Sequence, residues 1–138
     1  MPIIGGWRIK YMKSRQKPAR PKMECYAERN TTVSELGYAG YREYLRSDQW
    51  AEIRAAKLRA FPVCLLCDRP ASQVHHMDYT VPTLLGMSPR LLVTMCDGCH
   101  ERIEFGGGSK RDLAAANCEL RRLAHERGLH RWLEAVSR

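Results

Sequence analysis

No stretch of the 138 residues approaches the roughly 18 consecutive apolar positions that a membrane-spanning helix needs. Residues 1–6 are too short and too weakly apolar for a secretory h-region, and no small-residue cleavage site follows them. The expected setting is therefore a cytoplasm, where cysteines more often hold metal than form disulfides. No internal repeat or low-complexity tract is present. Acidic residues are missing altogether from residues 1–22, which hold Arg8, Lys10, Lys13, Arg15, Lys17, Arg20 and Lys22. Of the chain's 23 basic and 15 acidic residues, 16 and 15 then remain for residues 23–138, so nearly all of the +8 net charge sits at the N-terminus. Such an arm suits contact with nucleic-acid phosphates; a solvated tail is the plainer alternative. Hydrophobic residues at 44% and charged residues at 28% exclude a wholly disordered chain. The length suits one small domain plus an arm.

Residues 1–35 contain Pro2, Pro18 and Pro21 and show no clear period, which predicts extended chain. Residues 38–61 look helical, with Tyr41, Tyr44 and Leu45 and then Trp50 and Ile53 at helical spacing. Ser47 or Asp48 is an N-cap candidate that restarts a second helix, which Pro62 ends. Trp50 reads as a core anchor. Residues 73–76 and 91–94 read as two short strands, joined by a long loop marked by Pro82, Gly86 and Pro89. A helix is expected from Asp97 to about Phe105, stopped by Gly106, Gly107 and Gly108 acting as a hinge. A further helix is expected from Ser109, with Leu113, Ala116, Leu120, Leu123 and Ala124 as its apolar face. The last, after Gly128, turns Trp132 and Leu133 inward. The divisions are an arm (1–37), a central domain (38–105) and a C-terminal helical extension (106–138).

Four of the six cysteines fall in two pairs, Cys64-x-x-Cys67 and Cys96-x-x-Cys99. Two intervening residues let both thiolates of a turn face one ion, and two such turns make a tetrahedral four-thiolate zinc site. Independent redox motifs are the alternative, but neither pair sits in an evident βαβ unit. The pairs lie farther apart than in a plain zinc ribbon, so something is inserted between the knuckles. Cys25 and Cys118 have no partner at ligand spacing and read as structural.

The insert contains His75-His76, and His100 directly follows the last paired cysteine. Closing Cys64 and Cys96 on one ion brings the strand of the pair against the helix of His100. Neighbouring strand residues face opposite ways, so one histidine can ligate a metal while the other faces a substrate. Packing beside the zinc, or service as alternative zinc ligands, is the plainer role for the pair.

This block resembles the HNH endonucleases that carry a four-cysteine zinc site. The resemblance rests on CLLC at 64–67, VHH at 74–76 and MCDGCH at 95–100, with YREYLRSDQW at 41–50 similar to the lead-in helix of bacterial and phage members. It covers roughly residues 41–105. It implies an α+β fold with a small ββα-metal core stapled by zinc, and it implies metal-dependent hydrolysis of DNA phosphodiesters in a bacterial or phage-encoded protein. His75 and His100 match the ligands of a catalytic Mg2+ or Mn2+ ion, and His76 matches the general base. Glu104, one helical turn after His100, is a candidate further ligand. One departure stands out: Leu91 occupies the position where the family carries Asn or Asp as a positioning group, and the only asparagines, Asn30 and Asn117, lie outside the block.

Beyond the block, Lys110 and Arg111 are the best candidates for additional phosphate contacts, against the alternative of a solvated amphipathic face. The expected function is a one-metal, histidine-base DNA endonuclease with structural zinc. The alternative is an inactive HNH-like zinc module that binds DNA or serves in an assembly. A protein partner or a second copy of the chain stays open.

Overall fold

The computed structural model describes residues 20–138. The fold is mixed α and β, with small antiparallel sheets. Helix α1 spans Arg20–Glu35, α2 Tyr41–Leu45 and α3 Asp48–Ala60. Strand β1 (Gln73–His76) leads through a one-turn helix α4 (Val81–Leu84) and a 3-10 turn (Pro89–Leu91) to β2 (Leu92–Met95) and α5 (Asp97–Glu104). A two-residue-strand hairpin, β3 (Phe105–Gly106) and β4 (Ser109–Lys110), precedes α6 (Leu113–Glu126) and α7 (His130–Val136).

The register of β1 on β2 pairs Val74 with Thr94, His75 with Val93 and His76 with Leu92. Strand alternation then sorts the sheet into two faces. Val74, His76 and Leu92 face a core built with Val33, Tyr41, Tyr44, Trp50, Tyr79 and Leu84 from the N-terminal helices and the insert. Val93 and Met95 face a second core with Cys64, Ile103, Leu120, Leu123 and Val136. His75 shares that second face. The two adjacent histidines therefore point into opposite halves of the molecule.

Five expectations need correction. The arm is not extended through residue 35: α1 is helical from Arg20, and residues 1–19 lie outside the described residues. Among its described side chains, Tyr26, Arg29, Thr32 and Val33 are buried, so polar residues share the inward face with apolar ones and blur the apolar period. The helix closes in a Schellman motif, with Gly37 N–H donating to Ser34, Tyr38 N–H donating to Val33, and Gly37 at φ +93°. The 77–90 loop contains a helix, because Pro82 falls in its first turn, where a missing N–H costs nothing.

The Gly106–108 run is no hinge. Gly107 and Gly108, at φ +60° and +82°, form the turn of the β3–β4 hairpin, where both central residues need positive φ. Ser109 thus belongs to a strand, and α6 starts at Leu113 behind Asp112, whose carboxylate accepts from Ala115 N–H at 2.8 Å. Finally, Cys118, read as structural, is exposed on α6. Elsewhere Ser47 caps α3, accepting from Trp50 N–H at 3.1 Å, and Trp50 is buried as expected.

Candidate metal centres and their cleft

The two cysteine turns meet. The Sγ atoms of Cys64, Cys67, Cys96 and Cys99 all lie within 4.8 Å of one another, and Cys67 and Cys96 are 3.6 Å apart. Thiolates about 2.3 Å from a tetrahedral zinc ion stand about 3.8 Å apart, so the cluster can hold zinc. The first turn is held by Asp68 N–H donating to Cys64 and Cys64 N–H donating to Arg69, with Asp68 in the left-handed region at φ +65°. Leu65 N–H donates to Thr94, which ties this turn to β2. The second turn opens α5: Cys96 is its N-cap, and its sulfur accepts from Cys99 N–H. That bond holds the Cys96 thiol down at about 7, while burial pushes the Cys99 thiol up.

His100 follows Cys99 by one residue, a rotation of about 100° around α5. The helix therefore presents cysteines on one side and His100 and Glu104 on the next. There they meet His75 from β1. The Nδ1 of His75 is 3.5 Å and the Nε2 of His100 3.6 Å from Glu104 Oε2. Both separations exceed a good hydrogen bond. Donor atoms about 2.1 Å from a shared divalent ion stand roughly 3.0–3.4 Å apart, so a small contraction would close these three on one cation. The Glu104 carboxylate also pairs with Lys110.

The tautomer of His75 follows from its neighbours. Asn117 Nδ2 donates to the carbonyl of Met77 at 2.7 Å, which turns its Oδ1 toward His75 Nε2, 2.9 Å away. An acceptor there requires the His75 proton on Nε2 and leaves the Nδ1 lone pair facing Glu104 and His100. Burial pushes His75 down to about 4 and His100, also beside Lys110, down to about 4. Both rings are neutral near pH 7, the form that binds metal.

Sequence reasoning missed Asn117. It brings an amide to His75 from α6, remote in sequence from the pair of strands. A signal existed: Leu113, Asn117, Leu120 and Ala124 follow a 4-3-4 spacing, so a polar residue interrupts the apolar stripe.

His76 occupies a cage of aromatic rings, with Trp50 4.5 Å away between centroids and Tyr41, Tyr44 and Tyr79 around it. Its Nδ1 lies 3.2 Å from the Tyr41 hydroxyl, and its Nε2 is buried with no hydrogen-bond partner among the described residues. Burial, with His75 and Arg29 adding to it, pushes this imidazole down to about 3. A cleft of about 320 Å³ is lined by His75, His76, His100 and Glu104 together with Arg29 and Lys110.

The basic residues separate into three groups. Arg8, Lys10, Lys13, Arg15 and Lys17 lie outside the described residues, and Arg20 and Lys22 fall in the first turn of α1. Lys110 lines the cleft on Glu104. Arg111 also lines it, but one guanidinium nitrogen donates to the carbonyls of Arg102, Ile103 and Phe105 and so closes the C-terminal end of α5. No described helix is long and apolar enough to cross a membrane. Comparisons of the chain with protein-family models, curated proteins and solved structures return no match.

Proposed function

We propose that this protein is a metal-dependent DNA endonuclease of the HNH type, with zinc on its four cysteines and a catalytic divalent ion on His75, His100 and Glu104. The observation that carries the reading is the convergence of these three donors beside His76, in a cleft separate from the cysteine cluster. The chain order of β1, β2 and α5 is that of a ββα-metal core, and it supports the same reading.

The donor set fits a hard cation: two neutral imidazoles and one carboxylate, with the His75 lone pair aimed by Asn117. A Mg2+ or Mn2+ ion bound there supplies positive charge to the phosphate and the leaving oxygen. The remaining chemistry belongs to the chain. His76 Nε2 is the proton acceptor for the attacking water, and the Tyr41 hydroxyl fixes the ring from its Nδ1 side. That nitrogen is enclosed by the aromatic cage, so this role requires the cage to part as DNA enters. Lys110 neutralises Glu104 until a cation takes its place. The basic N-terminal residues add phosphate contacts.

A second reading, a zinc module that binds DNA or serves in an assembly without cutting, is favoured by one observation: the Lys110 ammonium already occupies Glu104. Zinc-loaded protein incubated with supercoiled plasmid separates the two. Nicked or linear product with Mg2+ or Mn2+, abolished by EDTA, supports the endonuclease. DNA retention without product under any divalent ion selects the binding module.

A further inference from the structure

Arg29 projects from α1 into the same cleft and is 2% exposed. Its guanidinium lies over Tyr26 and Tyr41, 4.4 Å from each ring centroid, and 5.3 Å from that of Tyr79. Attraction to an aromatic face holds a guanidinium without using its N–H donors. Its Nε and one terminal nitrogen are buried and have no hydrogen-bond partner among the described residues, and no described carboxylate pairs with it. A buried cation without an acceptor is among the costliest features a fold can carry, and replacing it with an apolar side chain of similar shape is commonly stabilising. The rings account for where the guanidinium sits. They do not account for the open donors.

The Tyr41 ring that lies under Arg29 also places its hydroxyl 3.2 Å from His76 Nδ1. The guanidinium is thus one ring away from the proposed base, in a cleft whose other cations include Lys110, Arg111 and Arg54. The missing acceptor is an anion with two oxygens spaced to meet a guanidinium edge, which is the geometry of a phosphate.

We propose that Arg29 is a phosphate-binding residue that takes the non-bridging oxygens of a DNA phosphodiester on the His76 side of the cleft. This rests on the endonuclease reading for its substrate and on the open donors of Arg29 for its existence. It also gives α1 a function: the helix brings to the His76 side of the cleft a cation that β1, β2 and α5 do not provide.

The test uses full-length, zinc-loaded parent, Arg29→Met and Arg29→Lys, with inorganic phosphate as the probe, no divalent ion and ionic strength held constant with KCl. Parent protein should melt at a higher temperature as phosphate is added, and Arg29→Met should lose at least tenfold in phosphate affinity. Without phosphate, Arg29→Met should melt no lower than the parent, because it removes a buried unpaired cation. Arg29→Lys should bind phosphate less well than the parent, because a point charge cannot make the two-pronged contact. In single-turnover DNA cleavage, Arg29→Met should be at least tenfold slower with unchanged Mn2+ affinity. Phosphate binding in Arg29→Met equal to the parent's overturns the inference. So does a large drop in melting temperature in Arg29→Met that Arg29→Lys restores with no phosphate effect in either, since Arg29 is then a packing residue. A parent that binds phosphate through Arg29 but cuts no DNA keeps this inference and removes the endonuclease reading. A parent and an Arg29→Met variant that both cut DNA, at equal rates, do the reverse.

Discussion

Asn117→Ala should uncouple the metal-binding face of His75 from the rest of the protein. The side chain makes two bonds, donating to Met77 O at 2.7 Å and accepting from His75 Nε2 at 2.9 Å. His75 and Met77 are both buried, at 3% and 4% exposure, so water replaces neither bond readily. At about 1 kcal/mol for each partly buried bond, the variant should lose about 2 kcal/mol of stability. The larger effect is on the ion. Without the acceptor on Nε2, the His75 proton can move to Nδ1, which turns the ligand atom into a donor facing Glu104. Loss of such a supporting partner typically lowers metal affinity by about 10–100-fold. Mn2+ titration followed by electron paramagnetic resonance measures this on the zinc-loaded protein, with urea denaturation run in parallel for stability. Asn117→Ala binding Mn2+ within about twofold of the parent would refute the proposed tautomer control.

Further outcomes test other parts of the account. Cys99→Ser should lose bound zinc and largely unfold residues 62–105 by circular dichroism, since structural zinc contributes on the order of 10 kcal/mol to such sites; parent-like melting would remove zinc from the account. Tyr44→Phe should lower stability by about 1–2 kcal/mol in chemical denaturation, because the fully buried hydroxyl donates to Leu84 O at 2.7 Å and leaves that carbonyl unmet. An unchanged midpoint would show that water or another donor reaches Leu84. Replacing Arg8, Lys10, Lys13, Arg15 and Lys17 with Gln should make the dependence of log affinity on log salt shallower by up to about 0.9 per lost contact. An identical slope would make the N-terminal charge a solubility feature.

The central block was legible because its signals are local. The paired cysteines fixed both turns, and Gln73–His76 forms the strand expected over those four residues. Strand 91–94 came out one residue later, as Leu92–Met95, because Leu91 closes a 3-10 turn after Pro89. The convergence of His75, His100 and Glu104 could be anticipated because two of them lie one turn apart on α5 and the meeting of the two cysteine turns brings the third. The residues that aim and complete the site were not legible, for a shared reason. Arg29 and Asn117 are polar residues placed on the inward faces of helices, where periodicity analysis expects apolar side chains and sees only noise. Arg29 hides α1 altogether, and Asn117 interrupts the stripe of α6. Burial of His76 was equally hidden, since its cage of Tyr41, Tyr44, Trp50 and Tyr79 is gathered from α2, α3 and the insert.

The central claim is that a second metal centre, distinct from the four cysteines, cuts DNA. Its most direct test is the single-turnover cleavage rate of a DNA duplex in Mn2+, measured for the parent and for the His75→Ala/His100→Ala double variant at equal zinc content. The account predicts cleavage by the parent and a loss of at least about 10²-fold in the variant with its zinc retained. Equal rates in the two proteins, or no cleavage by the parent at any Mn2+ concentration, would contradict it.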